Sequence, residues 1–405
     1  MINLNNRRLL ILGAGRGQIG LYKAAKELGV ATVAATLPDN NPPCLPLADE
    51  VCFVNILNPD EVSAKTSDIQ FDGVATCCLD KGLKALGRLC DQRNFIGFSE
   101  SVADLCNNKL LMKQRFLEHD VKTAPFRKIS NVSELEDTIN SLGGYPVMIK
   151  ATDLAGSRGI YRATNIEEAR SGFFNAIDAT QKDFIIVERC LVGREFGAQA
   201  FIQNGRVLFV LPHGDILFHA ATDVPVGHYV PFDIPKSLQS SIEEESRKAI
   251  KAVGLDNCAV NIDFIEENGE VYVLELSGRI GANGLPEVVS GYYDIDYYKM
   301  VVLAALDVPV DEIWNHRKTG TAVMSQMVYS QDKSGILKTI TYNNEMPDDI
   351  IDLEFFIRPG SLVHKFENTT HCLGQFVVKA KRVTDCYKRA EEIMSEIKIE
   401  LETIN

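Results

Sequence analysis

Two acidic residues stand in otherwise apolar segments of the sequence. Asp263 lies within residues 259–264, and Glu275 lies within residues 271–276. A carboxylate in an apolar strand is costly unless it pairs with a cation or binds a metal ion, and hard oxygen ligands suit Mg²⁺. The pair therefore predicts a magnesium site, although the same pattern would also arise if both acids lay on the solvated face of a hairpin.

The turn between these segments decides whether both acids can reach one metal ion. Regular pairing across a two-residue Asn268-Gly269 turn would place Asp263 and Glu275 on opposite faces. A three-residue loop with a bulge at Gly269 would place them on the same face. We predict this three-residue loop, or an equivalent bulge elsewhere in the ladder.

A lysine and a glycine-rich loop supply the chemistry that would complement such a metal. Lys150 ends the apolar segment 145–151, and a Gly-Ser-Arg-Gly loop follows within residues 155–160. A lysine at the end of a strand can meet phosphate as a point charge, and backbone N–H groups of such a loop can close over phosphate oxygens. Arg279 would add a fixed cation for a transferring phosphoryl group. Alone, the lysine and loop fit an ordinary strand end equally well.

A second glycine cluster occupies residues 13–20, between a predicted strand and a helix. Gly15, Gly17 and Gly20 have the spacing of a dinucleotide-binding turn, and Asp39 stands where a ribose-binding acid would be expected. A tight turn packed against other backbone explains the same glycines equally well.

Composition limits the class of protein. The chain has 405 residues, of which 45% are hydrophobic and 24% charged, and its formal net charge is −13. These values indicate a globular protein of two to four domains and disfavour a nucleic-acid partner. The longest apolar runs fall short of the roughly 20 residues of a membrane helix. The ten cysteines are scattered, which predicts reduced thiols in the cytoplasm.

The order of predicted elements indicates how these residues are positioned. Short apolar runs, such as residues 8–12 and 73–77, alternate with helical patterns over the first hundred residues. This alternation is typical of a doubly wound parallel sheet covered on both faces. The remainder mixes strands and helices and closes with an amphipathic helix that carries Ile393 and Ile397.

Together these segments resemble the ATP-grasp superfamily of carboxylate–amine ligases over most of the chain. The resemblance implies an α/β and α+β architecture in three parts, in which the nucleotide lies between two subdomains. These would be a Rossmann-like pre-ATP-grasp domain at residues 1–100, an ATP-grasp domain at 101–310 with subdomains 101–190 and 191–310, and a small α+β domain at 311–405. The implied cofactors are ATP and Mg²⁺ or Mn²⁺.

The resemblance also implies roles for individual residues. Lys109 and Lys150 would contact the phosphates beneath a flexible loop that contains Gly156, Ser157 and Gly159. Glu188 and the backbone near Leu191 would hold adenine, and Glu195 would meet the ribose. Asp263 and Glu275 would bind the metal ions, with Glu275 bridging them. Arg279, with Lys150, would stabilise the phosphoryl-transfer transition state.

Two positions depart from the pattern of the superfamily. Asn108 stands where Asp is frequent, directly before Lys109. Ser277 replaces the metal-binding asparagine that follows the second acid, and we expect its single oxygen to bind the metal more loosely. An inactive relative would show the same replacement.

The implied reaction joins a carboxylate to an amine or a similar nucleophile through an acyl-phosphate, with release of ADP. Resemblance within the superfamily extends to L-amino acid ligases, phosphoribosylglycinamide synthetase, carboxyaminoimidazole ribonucleotide synthases and biotin carboxylase-like enzymes, of which biotin carboxylase itself fits least. Residues 281–287 would face the acceptor, and residues 213–228 would form a substrate loop.

Two other classes of function remain open on the sequence. A nicotinamide (NAD)-dependent dehydrogenase would explain the glycines of residues 13–20, but it leaves Lys150, Asp263, Glu275 and Arg279 without a role. A non-catalytic ATP-binding protein would explain Ser277. The expected partners are small-molecule substrates, without nucleic acid or membrane, and the dimers common in the superfamily suggest a homodimer by analogy.

Overall fold

The computed structural model describes residues 4–38, 42–154, 158–219, 223–342, 344 and 346–402. The described chain begins with a parallel sheet in the order β3-β2-β1-β4. Its strands are β1 (Arg8–Leu12), β2 (Ala31–Thr36), β3 (Glu50–Phe53) and β4 (Gly73–Ala75). The inner strand β1 is fully buried from Leu9 to Leu12, as is expected of a parallel strand covered on both faces. The predicted parallel sheet is confirmed.

Helices α1 (Ile19–Glu27), α2 (Pro59–Lys65) and α3 (Leu83–Arg93) accompany this sheet. Two further helices, α4 (Glu100–Cys106) and α5 (Lys109–Glu118), lead into the next unit. Asn108 caps α5, because its side-chain oxygen accepts hydrogen bonds from the N–H groups of Leu110 (3.1 Å) and Leu111 (3.2 Å). Asparagine is among the residues that perform this role best, which explains locally why it is tolerated before Lys109.

The next unit is an antiparallel sheet in the order β5-β8-β6-β7. Its strands are β5 (Phe126–Ile129), β6 (Val147–Lys150), β7 (Ile160–Ala163) and β8 (Ile185–Arg189). Helices α6 (Leu135–Ser141) and α7 (Ile166–Ala179) pack against it around a separate apolar core. The sheet carries Lys150 and Glu188 on neighbouring strands.

The largest sheet has the order β13-β12-β9-β10-β11-β14-β18-β16. Its strands are β9 (Arg194–Gln203), β10 (Arg206–His219), β11 (Asp223–Val230), β12 (Cys258–Glu267), β13 (Glu270–Ser277), β14 (Ala322–Val328), β16 (Ile350–Phe355) and β18 (Gly374–Ala380). The sheet thus continues across residue 310, and the domain boundary placed there stays a prediction. Most of residues 213–228 belongs to β10 and β11, where a substrate loop was expected.

The remaining elements lie around this sheet. Helices are α8 (Lys236–Val253), α9 (Leu285–Tyr293), α10 (Tyr297–Ala305), α11 (Asp311–Trp314) and α12 (Val383–Glu396), and a small sheet contains β15 (Gly335–Thr341), β17 (Leu362–Val363) and β19 (Lys398–Glu402). No helix among the described residues combines the length and the apolar character needed to cross a bilayer.

The β12–β13 hairpin settles the question of register. Glu267 pairs with Glu270, so the turn has two residues, Asn268 (φ 54°) and Gly269 (φ 83°), both of which are left-handed as such a turn requires. The predicted three-residue loop is therefore wrong. The alternative bulge is present, because the pairing shifts by one residue immediately after Asp263, which lies directly opposite Glu275. The predicted consequence, two acids on one face, holds.

Candidate functional site

One row of paired residues runs across four strands of the large sheet. Glu275 on β13 pairs with Asp263 on β12, which pairs with Gly197 on β9, which pairs with His213 on β10. Directly paired residues share a face of a sheet, and the two acids and the imidazole line one cavity of about 450 Å³. We call this cavity the cleft. It holds two predicted metal ligands side by side.

The two acids differ in their electrostatic surroundings. Burial, together with the nearby charges of Glu275 and Asp215, raises the pKa of Asp263 to about 7. Enclosure in the cleft opposes ionisation of Glu275, but Lys109, whose Nζ lies 2.8 Å from Glu275 Oε2, holds its pKa below the usual range. Asp263 receives a hydrogen bond from the Asn261 side chain, 3.1 Å away. A divalent cation beside Asp263 would favour its ionised form.

The opposite wall of the cleft carries lysines. Lys150 Nζ lies 2.8 Å from Glu188 Oε2, and Lys113 Nζ lies 3.4 Å from Glu188 Oε1. Burial lowers the pKa of Lys113 to about 8, against the opposing effect of Glu188. Burial would also lower the pKa of Lys150, but Glu188 raises it above the usual range. Glu188 thus serves as the shared counter-ion of two lysines, which was not foreseen.

Lys113 itself was missed by the sequence analysis. Its side chain is only 2% exposed, and its ammonium donates to Thr123 Oγ1 at 2.6 Å. A signal was present, because Lys113 stands four residues after Lys109 on α5 and therefore on the same helical face.

Arg279 is fixed by an acid from the N-terminal unit. Its Nε and Nη2 donate to the two oxygens of Asp80, each at 2.7 Å, in the bidentate geometry that orients a guanidinium. Ser277 Oγ donates to Asp80 Oδ1 at 2.6 Å. The Ser277 hydroxyl is therefore hydrogen-bonded to Asp80. The role of Ser277 as a metal ligand stays a prediction. Asp80 follows the carboxyl end of β4, which is the signal by which it might have been found.

The glycine loop of residues 155–160 is described only in part. Gly156 and Ser157 lie outside the described residues. Gly159 has φ +67°, and a Cβ there would approach the Ala151 side chain to 2.8 Å, so both backbone conformation and packing favour glycine. The loop is anchored nearby, where the Lys109 N–H donates to Thr152 O at 3.0 Å and Lys109 Nζ donates to Leu154 O at 3.0 Å.

A second cavity of about 330 Å³ opens beside the cleft. It contains the residues predicted to hold adenine and ribose, since Glu188, Leu191 and Glu195 all line it. Apolar side chains from β12 and β13, Ile265 and Leu274, form part of its wall. Lys150 lines both cavities, so a molecule lying in the second cavity would extend towards the lysines of the cleft.

A third cavity, of about 600 Å³, lies at the N-terminal glycines. We call it the glycine-turn cavity. Gly15, Gly17 and Gly20 line it, but they also pack tightly, since a Cβ on Gly20 would lie 2.2 Å from the Tyr298 ring. The Gly15 N–H donates to the Gln18 side chain at 3.0 Å. This backbone N–H is therefore already hydrogen-bonded, whereas a dinucleotide site would use it to bind phosphate. Asp39 lies outside the described residues.

The glycine-turn cavity and the cleft share a wall. Ala282 and Asn283 line both. Part of residues 281–287, predicted to face the acceptor, therefore lies where the two spaces adjoin. Glu287 lines the glycine-turn cavity, where Tyr298 Oη donates to it at 2.6 Å and burial raises its pKa to about 7.

Comparison with known proteins agrees with this geometry. The family model for the phosphoribosylglycinamide synthetase ATP-grasp (A) domain matches residues 107–217, and that for L-amino acid ligase C-terminal domain 2 matches residues 328–402. The chain is 46% identical to the phosphoribosylglycinamide synthetase structure from Anaerococcus prevotii, covering 98% of this chain and 100% of that one, with a TM-score of 0.88.

More distant matches extend the likeness. The L-amino acid ligase structure from Bacillus licheniformis has a TM-score of 0.83 over 98% of this chain and 99% of that one, at 17% identity, which shows the fold alone. The carbamoyl phosphate synthase large chain of Clostridium botulinum is 23% identical over 74% of this chain, and the chain spans 29% of that relative's length.

The parallel N-terminal sheet, the paired acids facing the lysines and the 46% identity over nearly the whole chain lead to one conclusion. The chain belongs to the ATP-grasp superfamily of ligases.

Proposed function

We propose that this protein is an ATP-dependent ligase that joins a carboxylate to an amine through an acyl-phosphate. The observation that carries the proposal is the cleft, in which Asp263 and Glu275 on one wall face Lys109 and Lys150 on the other. Opposed carboxylates and lysines suit a triphosphate accompanied by divalent metal, since each wall complements one of the two charges.

The acidic wall fits Mg²⁺ or Mn²⁺. Asp263 and Glu275 offer adjacent carboxylate oxygens, and the raised pKa of Asp263 reflects its burial beside the negative charges of Glu275 and Asp215. When bound there, the metal would neutralise charge on the phosphate oxygens. Asn261 and Gln199 support this wall, because Gln199 Nε2 donates to Asn261 Oδ1 at 2.6 Å and Asn261 in turn donates to Asp263.

The lysine wall and the second cavity would orient the nucleotide. Lys109 and Lys150 would contact phosphates, with Gly156, Ser157 and Gly159 in the loop above them. Leu191 and Glu195 would lie against adenine and ribose. The placement of Glu188 between two lysines supports an additional role, because it holds Lys150 in position before any ligand arrives.

The chemistry would follow in two displacements. A substrate carboxylate oxygen attacks the γ-phosphorus, ADP leaves, and an acyl-phosphate forms. The amine nitrogen then attacks the carbonyl carbon, phosphate leaves, and the nitrogen loses a proton. Arg279, already oriented by Asp80, would stabilise charge on the phosphoryl group during transfer.

The acceptor would come from the glycine-turn cavity, which adjoins the cleft at Ala282 and Asn283. Its carboxylates outnumber its cations, because Glu27, Glu287, Asp296, Asp352 and Glu354 line it with Arg16 and Lys23. This balance favours an ammonium-bearing acceptor, such as an amino acid, over a phosphorylated one.

A second candidate is a phosphoribosylglycinamide synthetase-like reaction. It is favoured by the 46% identity to the Anaerococcus protein of that name and by Arg16 and Lys23 beside the glycine turn. In that case glycine would be the carboxylate and phosphoribosylamine the amine.

One assay separates these candidates. Phosphate release from ATP is measured over a panel of amino-acid pairs and with phosphoribosylamine plus glycine. We expect Lys150→Ala and Glu275→Ala to lose turnover while keeping the fold, and Lys26→Ala, an exposed lysine on α1, to retain it. Wild-type turnover in both cleft variants would overturn the proposal. NADH binding without ATP binding in a thermal-shift assay would favour a dehydrogenase, and ATP binding without turnover on any panel member would favour a non-catalytic protein.

A further inference from the structure

A compact group of metal-ligating side chains lies beside the acidic wall. His213 and Asp215 are two residues apart on β10, and Asp215 pairs directly with His228 on β11. Asp215 Oδ1 lies 2.7 Å from His228 Nδ1 and 3.3 Å from His213 Nδ1. One ligand atom from each of the three residues lies within 4.8 Å of the others. All three side chains line the cleft.

His213 is the unexplained member of this group. It is 3% exposed, and within the described part of the chain neither of its ring nitrogens has a hydrogen-bond partner. Its contact with Asp215 lacks the alignment of a hydrogen bond. Buried polar groups without partners are rare, because each loses its hydration without replacement. A His228–Asp215 pair alone would leave this imidazole unsatisfied.

The backbone makes room for His213 at this place. A Cβ on Gly197, its partner across the sheet, would lie 2.3 Å from His213 Cε1 and 2.4 Å from Nε2. The imidazole thus lies over a position without a side chain, in the same paired row as Asp263 and Glu275. Asp215 adds a further negative charge near Asp263, and three acids around one space favour a dication there.

We propose that His213, Asp215 and His228 form a binding site for one divalent transition-metal ion of the zinc or cobalt type, distinct from the magnesium ligands Asp263 and Glu275. Two imidazoles and one carboxylate select such ions over Mg²⁺, which prefers oxygen ligands. Tetrahedral bonds of about 2.0–2.1 Å separate neighbouring ligand atoms by about 3.3 Å. The His213–Asp215 distance already matches this value, and the His228–Asp215 contact would open slightly.

Three protein ligands leave coordination positions open, and these would face the cleft. A substrate carboxylate could occupy one of them. That consequence rests on the proposed ligase function, whereas metal binding itself does not.

The test uses the full-length protein after treatment with a chelator. Co²⁺ is titrated in the presence of excess Mg²⁺, which occupies the oxygen ligands, and calorimetry and the visible absorption of bound Co²⁺ are recorded. We expect one equivalent with nitrogen–oxygen ligand bands, and competition by Zn²⁺. The Asp263→Asn, Glu275→Gln double variant should still bind this equivalent, because its ligands lie elsewhere.

Ligand variants complete the experiment. His213→Asn with His228→Gln should weaken Co²⁺ binding by about 100-fold or more, whereas His316→Gln, which removes an exposed imidazole, should not change it. Asp215→Asn preserves shape, so it remains informative if the double histidine variant fails to fold, and it should alter the absorption bands. No Co²⁺ equivalent in the wild type, or an equivalent unaffected by these ligand changes, would overturn the proposal. A protein that binds Co²⁺ in this way but releases no phosphate would refute the ligase and leave the metal site standing.

Discussion

The two walls of the cleft carry opposite charges and differ in how those charges are balanced. On the lysine wall, Lys113 and Lys150 share Glu188 as a buried counter-ion. On the acidic wall, Glu275 pairs with Lys109 from across the cleft, while Asp263 accepts a hydrogen bond from the Asn261 amide and has a raised pKa. The lysine wall is therefore organised before any ligand binds, whereas the acidic wall would be completed by the proposed metal ion. This contrast separates Glu188, which holds Lys113 and Lys150 in position, from Asp263 and Glu275, which would bind the metal.

The largest effect should come from the acidic wall. Asp263→Asn and Glu275→Gln keep side-chain shape but remove the charge that would hold the metal, so we expect ATP turnover to fall by about 100- to 1,000-fold. Steady-state ADP release at several Mg²⁺ concentrations measures this loss. Glu270→Gln, an exposed acid on the same hairpin, serves as the control. If ADP release in both variants depended on Mg²⁺ concentration as it does in the wild type, the acidic wall would not be the metal-binding wall.

The lysine wall should instead show its effect in stability. Glu188→Gln leaves Lys113 buried without its counter-ion, which should cost about 3 kcal/mol of folding free energy. Adding Lys113→Met should recover part of the loss. The midpoint of chemical unfolding without ligand is the measurement, and Glu244→Gln, which removes a surface ion-pair partner, should shift it little. If Glu188→Gln unfolds at the wild-type midpoint, the lysine wall is not held by this charge.

Loss of Asp80, which holds Arg279 in position, should reduce the catalytic rate more than the affinity for ATP. Asp80→Asn removes one charge from the bidentate contact, and the resulting misplacement of the guanidinium should lower kcat by up to about 100-fold. The KM for ATP should change little, because Asp80 lies outside both the cleft and the second cavity. Asp104→Asn on α4 is the matched control. An equal rise in KM with unchanged kcat would assign Asp80 to nucleotide binding.

The smallest effect concerns pH. The folded-state pKa of Asp263, about 7, exceeds the unfolded value of about 3.9. Between these values the folded state binds the extra proton, so the stabilising contribution is complete below pH 4 and is lost as pH rises through 7. Without Mg²⁺, wild type should lose about 2–3 kcal/mol of folding free energy relative to Asp263→Asn between pH 5 and 8. Mg²⁺ should abolish this difference, which chemical unfolding of both proteins at each pH would measure. Identical pH profiles of unfolding free energy for wild type and Asp263→Asn without Mg²⁺ would contradict the prediction.

The hairpin shows how far sequence reasoning could reach. The predicted metal site required Asp263 and Glu275 to share a face of the sheet, and they do. The preferred position for the bulge, at Gly269, was wrong, because the bulge follows Asp263. Asn268 and Gly269 suit a tight two-residue turn, and the extra residue is Leu274. Leucine has no preference for a bulge, so only tertiary packing could specify that position.

Other residues escaped prediction because their partners are distant in sequence. Asp80 and Arg279 are 199 residues apart, and Lys113 and Glu188 belong to different elements. The local spacing of apolar and polar residues along the sequence contains no information about such pairs. The His213–Asp215–His228 group likewise depends on strand pairing, since only the pairing of β10 with β11 brings His228 to Asp215. By contrast, the parallel N-terminal sheet and the strand ending at Lys150 follow from local apolar patterns and were predicted.

The contact between Asp80 and Arg279 ties the proposed catalytic cation, Arg279, to the opening hundred residues of the chain. A fragment beginning at Glu100 would keep both walls of the cleft yet lose the side chain that aims the guanidinium. We expect such a fragment, if folded, to bind nucleotide but to cleave it more slowly than the full chain. The N-terminal sheet would then contribute to phosphoryl transfer from behind the site, through one carboxylate at the end of one strand.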